Sequence, residues 1–488
     1  MEKAHARFLE AYPEYANTGI LDALRRSECA RLDAERHVYV DYTGAGLYTE
    51  SQVREHAELL TKQVFGNPHS GSPCSTATTE LVERARRRVL DYFNAPRDTY
   101  TAIFTQNASA ALKLVGESYP FADGGRCLLT FDNHNSVNGI REFALAREAV
   151  VDYAPLTMPD LRIDQARITP LLDRANRGAS NLLAFPAQSN FSGVRHPLSL
   201  IDQAHEHGWD VLLDAAAYVP TSALDVADAQ PDFVTVSFYK MFGYPTGVGC
   251  LLARRDALQR LRRPWFAGGT VNFATVQGRA RLLAPGEAGF EDGTLNFLSI
   301  PAVEIGLRLI ERIGIQTIQT RVHCLTAWLL EELVALRHAN GRPMVRIYGP
   351  VGSAARGGTV TLNLYDPEGH LLDYRRVEEL AAAERISLRT GCFCNPGAGE
   401  TAEGLTEADM LAGLESSSPM TLPRFLQLIQ YRGGKSAGAI RVSFGFLSNF
   451  TDAQRVLEFV ASLRDQTQLA IGKVSFDIES CRVMRDGS

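Results

Sequence analysis

Lys240 closes a short apolar run, in Ser237-Phe238-Tyr239-Lys240, and Asp214 closes an earlier one, followed by three alanines. An amine and a carboxylate at neighbouring strand ends are suited to covalent and acid–base chemistry. Three further runs end in polar groups. One leads into Gln106-Asn107-Ala108-Ser109, a small-residue turn opening a helix. Free backbone N–H groups at such a turn suit a phosphate, and Ser109 adds a hydroxyl. The others lead into Asp132-Asn133-His134-Asn135-Ser136 and Pro186-Ala187-Gln188-Ser189-Asn190. Singly, each has an ordinary reading. An Asp after a strand is commonly a helix N-cap, and a lone Lys or His is commonly a surface group. In chain order, five strand ends offer a phosphate cradle, an aromatic ring, an amide, a carboxylate and an amine.

That set is what pyridoxal phosphate requires. The phosphate calls for the helix start at Ala108 and Ser109, with Ser237. The ring nitrogen calls for a carboxylate, Asp214, and the ring face for a flat cover, His134. The aldehyde calls for an amine, Lys240.

Open α/β sheets place such groups at the carboxyl ends of their strands. Runs at 101–105, 127–131, 181–185, 211–214, 233–237 and 249–253 alternate with helical stretches. Short apolar runs of this kind predict parallel strands buried on both faces, joined by βαβ crossovers. Residues 1–35 read as helical, 37–42 as a strand and 78–95 as a helix. Strands at 345–348, 359–363 and 440–444, with helices at 374–385 and 451–465, predict a different C-terminal unit. The expected architecture is α/β: a large, mostly parallel sheet domain with a smaller α+β C-terminal domain. Its segments are 1–60, packing on the core; 61–310, the large domain; and 311–488, the small domain. The helix 301–313 is the expected hinge, and 398–438 a mobile loop or inserted helix beside the site.

Composition excludes several alternatives. The chain has 488 residues, a net charge of −6 and 45% apolar residues, so no basic field invites nucleic acid or anionic lipid. No run reaches the ~20 apolar residues that span a bilayer. The N-terminus lacks a signal peptide's pattern, and eight scattered cysteines read as reduced thiols, so a cytoplasmic protein is expected. Only Cys392 and Cys394 lie close together. They read as a buried pair, half of a zinc site, or a reactive thiol; C-x-C alone is a poor metal motif and no second ligand pair has zinc-like spacing, so no metal is expected.

The chain resembles the class V aminotransferase-fold, fold type I, proteins of the cysteine desulfurase superfamily, and within them the desulfurase domain of the molybdenum cofactor sulfurases. The resemblance rests on VYVDYTGAGLY (38–48), GNPHS (66–70), FPAQSNFSG (185–193), LLDAAAYVPT (212–221), SFYKMFGYPTGVG (237–249), FEDGTLNFLSIPA (290–302), RTGCFCNPGA (389–398) and IRVSFG (440–445). It implies that Lys240 binds the cofactor and moves the substrate Cα proton, His134 stacks on the ring and Asp214 pairs with its nitrogen. Asn190 and Gln188 would lie near the ring hydroxyl, and Ala108, Ser109 and Ser237 would hold the phosphate. Thr294 would reach the phosphate of the other subunit of a homodimer. Arg441 would clamp the α-carboxylate of L-cysteine or a related sulfur amino acid, Arg389 would position the following loop, and His69 would face substrate. Cys394 would be the nucleophile that takes sulfur as a persulfide and releases alanine. Two positions depart from the wider superfamily: Ala217 stands where many members have glutamine, and Tyr239 where many have histidine. The chain ends soon after the desulfurase region, so a separate protein or small thiol is the expected sulfur acceptor. The alternatives are a C–S lyase or another eliminating or biosynthetic enzyme on the same scaffold, and a non-catalytic binding protein that kept the fold.

Overall fold

The computed structural model describes residues 2–408 and 438–467, and the backbone of Val474–Asp477 and Arg482–Arg485. Seven strands form the main sheet: β1 Tyr100–Thr105, β2 Arg126–Thr130, β3 Val150–Ala154, β4 Asn181–Pro186, β5 Asp210–Asp214, β6 Phe233–Ser237 and β7 Gly249–Arg254. Their order is β1-β7-β6-β5-β4-β2-β3. Consecutive residues along β4 are fully buried and alternate between two apolar layers: Leu182 and Ala184 pack on one face, Leu183 and Phe185 on the other. That is the sandwiched environment the continuous apolar runs imply.

Two features differ from the sequence reading. β7, expected to be parallel, runs antiparallel to both β1 and β6, so the sheet is mixed. β3, at the sheet edge, was not expected. Only Ala154 is fully buried, and Asp152 interrupts its apolar residues, so it lacks an apolar run.

Helix α1 (Pro73–Tyr92) starts at Ser72, which accepts from Ser75 N, with proline in the first turn. Helix α2 (Ala108–Ser118) follows β1, and helix α3 (Phe238–Phe242) carries Lys240 off the end of β6. Helix α4 (Ile300–Ile313) packs on α1 and α3 and leads at Gly314 into α5 (Ile315–Ala335), a long helix absent from the sequence reading.

A second sheet is antiparallel, in the order β8-β9-β11-β10: β8 Val345–Tyr348, β9 Thr359–Leu364, β10 Arg389–Gly391 and β11 Ala439–Ser443. The N-terminal part joins it. The short strand Val38–Tyr39 lies parallel to Ile386–Ser387, and Asp41 bridges to Ser443. The helical 1–35 segment is broken into Glu2–Ala11, Gly19–Glu28 and Ala30–Ala34, with a 3-10 turn at Pro13–Thr18. Phe8 of its first helix packs against Phe450 and Trp328. After Cys394 the chain enters helix α6 (Pro396–Glu403); the rest of the expected loop, 409–437, lies outside the described residues.

Candidate active site

The carboxyl ends of β1, β2, β4, β5 and β6 converge on a cavity of about 390 Å³. That size falls within the ~300–1,000 Å³ usual for small-molecule sites. Ala108, Ser109, His134, Gln188, Asn190, Asp214, Ser237 and Lys240 all line it.

At one end α2 begins. Asn107 caps it by accepting from Ala110 N at 2.9 Å, which leaves the amides of Ala108 and Ser109 without an intrahelical partner. Gly249 makes this closeness possible: a Cβ there would sit 2.6 Å from Asn107 Cα. Ser109 Oγ lies 2.6 Å from Ser136 Oγ, and the Ser237 side chain makes no capping bond to α3. Amides and hydroxyls at a helix start form an anion cradle.

Across the cavity Asp214 Oδ1 accepts from Ala216 N at 3.0 Å and from Thr235 Oγ1 at 3.2 Å. Its other oxygen makes no hydrogen bond among the described residues. Ser136 N donates to His134 Nδ1 at 3.1 Å, which leaves Nε2 to carry the ring proton. Burial lowers the His134 pKa, against the opposing pull of Asp214. Burial also lowers the Lys240 pKa from the ordinary lysine value, again opposed by Asp214. A lysine so held gives up its proton more readily and is the better nucleophile.

Arg441 enters from β11. It is nearly buried, and burial lowers its pKa while Asp41 raises it. Nη2 donates to Asp41 Oδ1 at 2.9 Å and Nη1 to the Asn190 carbonyl at 3.1 Å; Nε is buried without a partner. Arg389 approaches Asp41 from the other side, donating from Nε at 3.0 Å and Nη2 at 2.7 Å to Oδ2. One carboxylate therefore serves two guanidinium groups. Arg389 is half exposed and does not line the cavity.

Cys394 is exposed, on a loop where Phe393 and Cys394 both adopt φ of +54°. Two successive non-glycine residues in the left-handed region cost energy, and surrounding contacts must hold them. Asn135 N donates to the Cys394 carbonyl at 2.7 Å, and Asn190 Nδ2 to the Phe393 carbonyl at 2.8 Å. Asn395 Nδ2 donates to the Asp132 carbonyl at 2.6 Å and to Asn190 Oδ1 at 2.8 Å. The Arg441 guanidinium stacks over the Phe393 ring, 4.7 Å from its centroid. The loop is thus fastened to the strand end that carries His134. Asn190 spends both ends of its amide on the loop. Gln188 Nε2 donates to the Ala217 carbonyl at 2.9 Å.

Like Arg389, the expected residues Arg441, Cys394, Thr294 and His69 are not on the lining of this cavity. Thr294 lines a neighbouring cavity of about 610 Å³ that shares Gln106 and Gly247 with the first. Asn67 Nδ2 donates to Thr294 Oγ1 at 3.4 Å, and His69, exposed, lies against Gly269 beside it. Asp41, Asn395 and Thr235 were not singled out in the sequence. Asn395 carries a readable signal, because Asn followed by Pro marks a helix N-cap, and its Oδ1 accepts from Ala398 N at 3.2 Å. Asp41 carries none, since its partner lies 400 positions away.

The unpartnered Asp214 oxygen, the unspent amides and the orphaned Arg441 Nε fit a phosphorylated pyridine aldehyde with an amino acid beside it. The comparisons agree in fold. The chain is similar to the cysteine desulfurase of Thermococcus onnurineus NA1, with a TM-score of 0.73 at 22% identity, covering 91% of this chain and 98% of that one. It is similar to the cysteine desulfurase CsdA of Escherichia coli, with a TM-score of 0.70 at 20% identity and the same coverage. In sequence it is 38% identical to the molybdenum cofactor sulfurase of Solanum lycopersicum, over 95% of this chain and 60% of the relative. It is 35% identical to the molybdenum cofactor sulfurase of Homo sapiens, over 91% of this chain and 52% of the relative. The chain therefore spans little more than half the length of these relatives. The aminotransferase class-V model matches residues 38–456, a span that holds the cavity, Arg441 and the Cys394 loop, and the chain belongs to that family.

Proposed function

We propose that this chain is a pyridoxal phosphate-dependent cysteine desulfurase that takes sulfur from L-cysteine onto Cys394 and releases alanine. The observation that carries the reading is the fastening of the Cys394 loop to the His134 strand end, beside a buried lysine and carboxylate. Pyridoxal phosphate, when bound, supplies an electrophilic aldehyde and a ring that withdraws electrons from the substrate. The amides of Ala108 and Ser109, with Ser109 and Ser237 hydroxyls, hold its phosphate. Asp214 would hold the proton of the ring nitrogen, and His134 would cover the ring. Arg441 binds the substrate α-carboxylate, and Arg389 holds Asp41 in place behind it. Lys240 Nζ accepts the Cα proton and later returns it to Cα, while Cβ, left with the electron pair of the broken C–S bond, takes up the proton that the Cys394 thiol gives up. The Cys394 thiolate forms a bond to the substrate sulfur as the Cβ–S bond breaks. L-cysteine and one thiol thereby become alanine and one persulfide, with no external oxidant.

The exposed side chain of Trp265, on the lining of the Thr294 cavity, with the exposed Phe266 next to it in the chain, supports a homodimer in which Thr294 reaches the partner's phosphate, with His69 beside it. A separate protein or small thiol would then accept the sulfur. No described helix is long and apolar enough to cross a membrane. The free cysteines among the described residues suit the reducing cytoplasm.

Cys394→Ala tests the proposal. With L-cysteine it is expected to lose alanine and sulfide production while keeping the visible absorbance of the bound cofactor. Lys240→Ala is expected to lose that absorbance. A Cys394→Ala protein that keeps turning over L-cysteine is an eliminating lyase, and the desulfurase reading fails.

A further inference from the structure

We infer that the chain carries a second small-molecule site, for a compact anion bearing a carboxylate or phosphate group, between α5 and the segment that leads into β9. A cavity of about 250 Å³ lies there, lined by Glu14, Arg195, Gln319, Thr326, Ser353 and Arg356 among others.

Its charge is unbalanced. Among the described residues neither Arg195 nor Arg356 has a carboxylate partner. Arg356 is 4% exposed and donates only to backbone carbonyls: from Nη1 to Pro350, and from Nη2 to Ser192 at 3.2 Å and Thr359 at 2.6 Å. Its Nε is buried and unpartnered, as is the hydroxyl of Thr326. Arg195 Nε donates to Gln188 Oε1 at 3.4 Å, and its guanidinium lies over the Tyr218 ring. The one acid on the lining, Glu14, accepts from Cys324 Sγ at 3.5 Å. Burial, with Arg162 nearby, lowers the Arg356 pKa to about 10, the direction of a cation lacking a counter-charge.

A buried guanidinium needs a counter-charge, and neutral carbonyls supply only part of one. Elsewhere in this chain buried arginines have theirs: Arg86 pairs with Glu291, Arg321 with Asp22 and Arg25 with Asp452. Two arginines on one cavity lining, neither paired with a carboxylate among the described residues, mark a place where a ligand brings the charge. The volume admits a few heavy atoms beyond the charged head. Glu14, on the same lining, can accept from a hydroxyl or ammonium of that ligand. Gln188 lines the catalytic cavity and also touches Arg195, so the two cavities are neighbours but not one site.

Isothermal titration of the cofactor-loaded protein with inorganic phosphate, glycerol 3-phosphate and succinate tests this. The loaded cofactor fills the α2 cradle, so phosphate uptake there does not interfere. At least one probe is expected to bind saturably, one per chain, in the millimolar range or tighter. Arg195→Gln is expected to weaken it at least about tenfold, the size of a lost charge-assisted hydrogen bond. Thr320→Trp, which puts an indole into the cavity from a lining position on α5, is expected to abolish it. The preferred probe tells phosphate from carboxylate. The inference is overturned if none of the three binds, or if binding survives both substitutions unchanged, which would place it at Arg441 or on the surface.

Discussion

Asp41→Asn keeps the side-chain shape and removes the charge that two arginines share. The consequence differs for each arginine. The Arg389 side chain is 52% exposed, so its pair with Asp41 contributes about 0–1 kcal/mol. The Arg441 side chain is 4% exposed and Asp41's is 10% exposed, so this pair is nearly dry. Removing one partner of a buried pair costs ~3–5 kcal/mol, because the other charge stays behind without compensation. The amide oxygen still accepts one hydrogen bond from Arg441, which favours the lower end, about 3 kcal/mol. With an unfolding entropy of ~2.1 cal/mol/K per residue, a chain this long loses about 1 kcal/mol of stability per degree near its midpoint. Asp41→Asn is therefore expected to lower the thermal midpoint by about 3 °C when the chain unfolds as one unit. A second effect separates this from generic damage. If Arg441 receives the substrate carboxylate, L-alanine brings to the variant the counter-charge it lacks, and so raises its midpoint more than that of the parent protein. Differential scanning calorimetry of cofactor-loaded protein, with and without saturating L-alanine, reads both effects. Equal midpoints without ligand would refute the reasoning about burial. Equal L-alanine shifts in the two proteins would refute the assignment of Arg441 to the carboxylate.

Three further perturbations follow from the same geometry. Glu291→Gln strips the buried counter-charge from Arg86, leaving it only the partly exposed Glu83 at 3.1 Å, and weakens the bond from Phe104 N, so calorimetry is expected to show a loss at the lower end of the buried-pair range, ~3 kcal/mol; an unchanged midpoint would contradict it. Gly397→Ala puts a Cβ into the carbonyl of Phe131 and must push the Cys394 loop away from His134. Turnover of L-cysteine is expected to fall at least about tenfold with the cofactor absorbance intact, and full turnover would show that the loop's seat does not matter. Burial lowers the His134 pKa, so as pH falls the unfolded chain takes up that proton first. The contribution is complete above the ordinary histidine value of about 6.5 and is lost as pH falls from there toward the folded value. His134→Gln is expected to flatten the stability-against-pH slope below about 6.5, as urea unfolding would measure; parallel slopes would rule this out.

What could be read in advance follows from how each element meets its surroundings. β4 was legible because Leu182 and Leu183 are buried on opposite faces, which leaves an unbroken apolar run with a polar stop. Such a run carries no mark of direction, so β7 was found but its antiparallel pairing was not. Helix α5 was missed for a related reason. Residues 324–330 are all buried, so its apolar side chains surround the helix and leave no stripe to detect.

The cavity itself was legible because its lining comes from strand ends, and a strand end places a side chain by local sequence alone. Asp214, Ser237 and Lys240 each needed only one run and its stop to be located. Asp41 and Arg441 obey a different rule. Each is an unremarkable charge in its own segment, and their pairing exists only because the short N-terminal strand lies against the second sheet. The same holds for Asn190, which lines the cavity and whose amide also ties down residues 393 and 395. Local sequence announces which groups line the cavity, because their place is set by where a strand stops. It is silent about which groups hold a distant loop or balance a buried charge, because that role is set by a neighbour the fold supplies. The uncompensated Arg356 belongs to this second class.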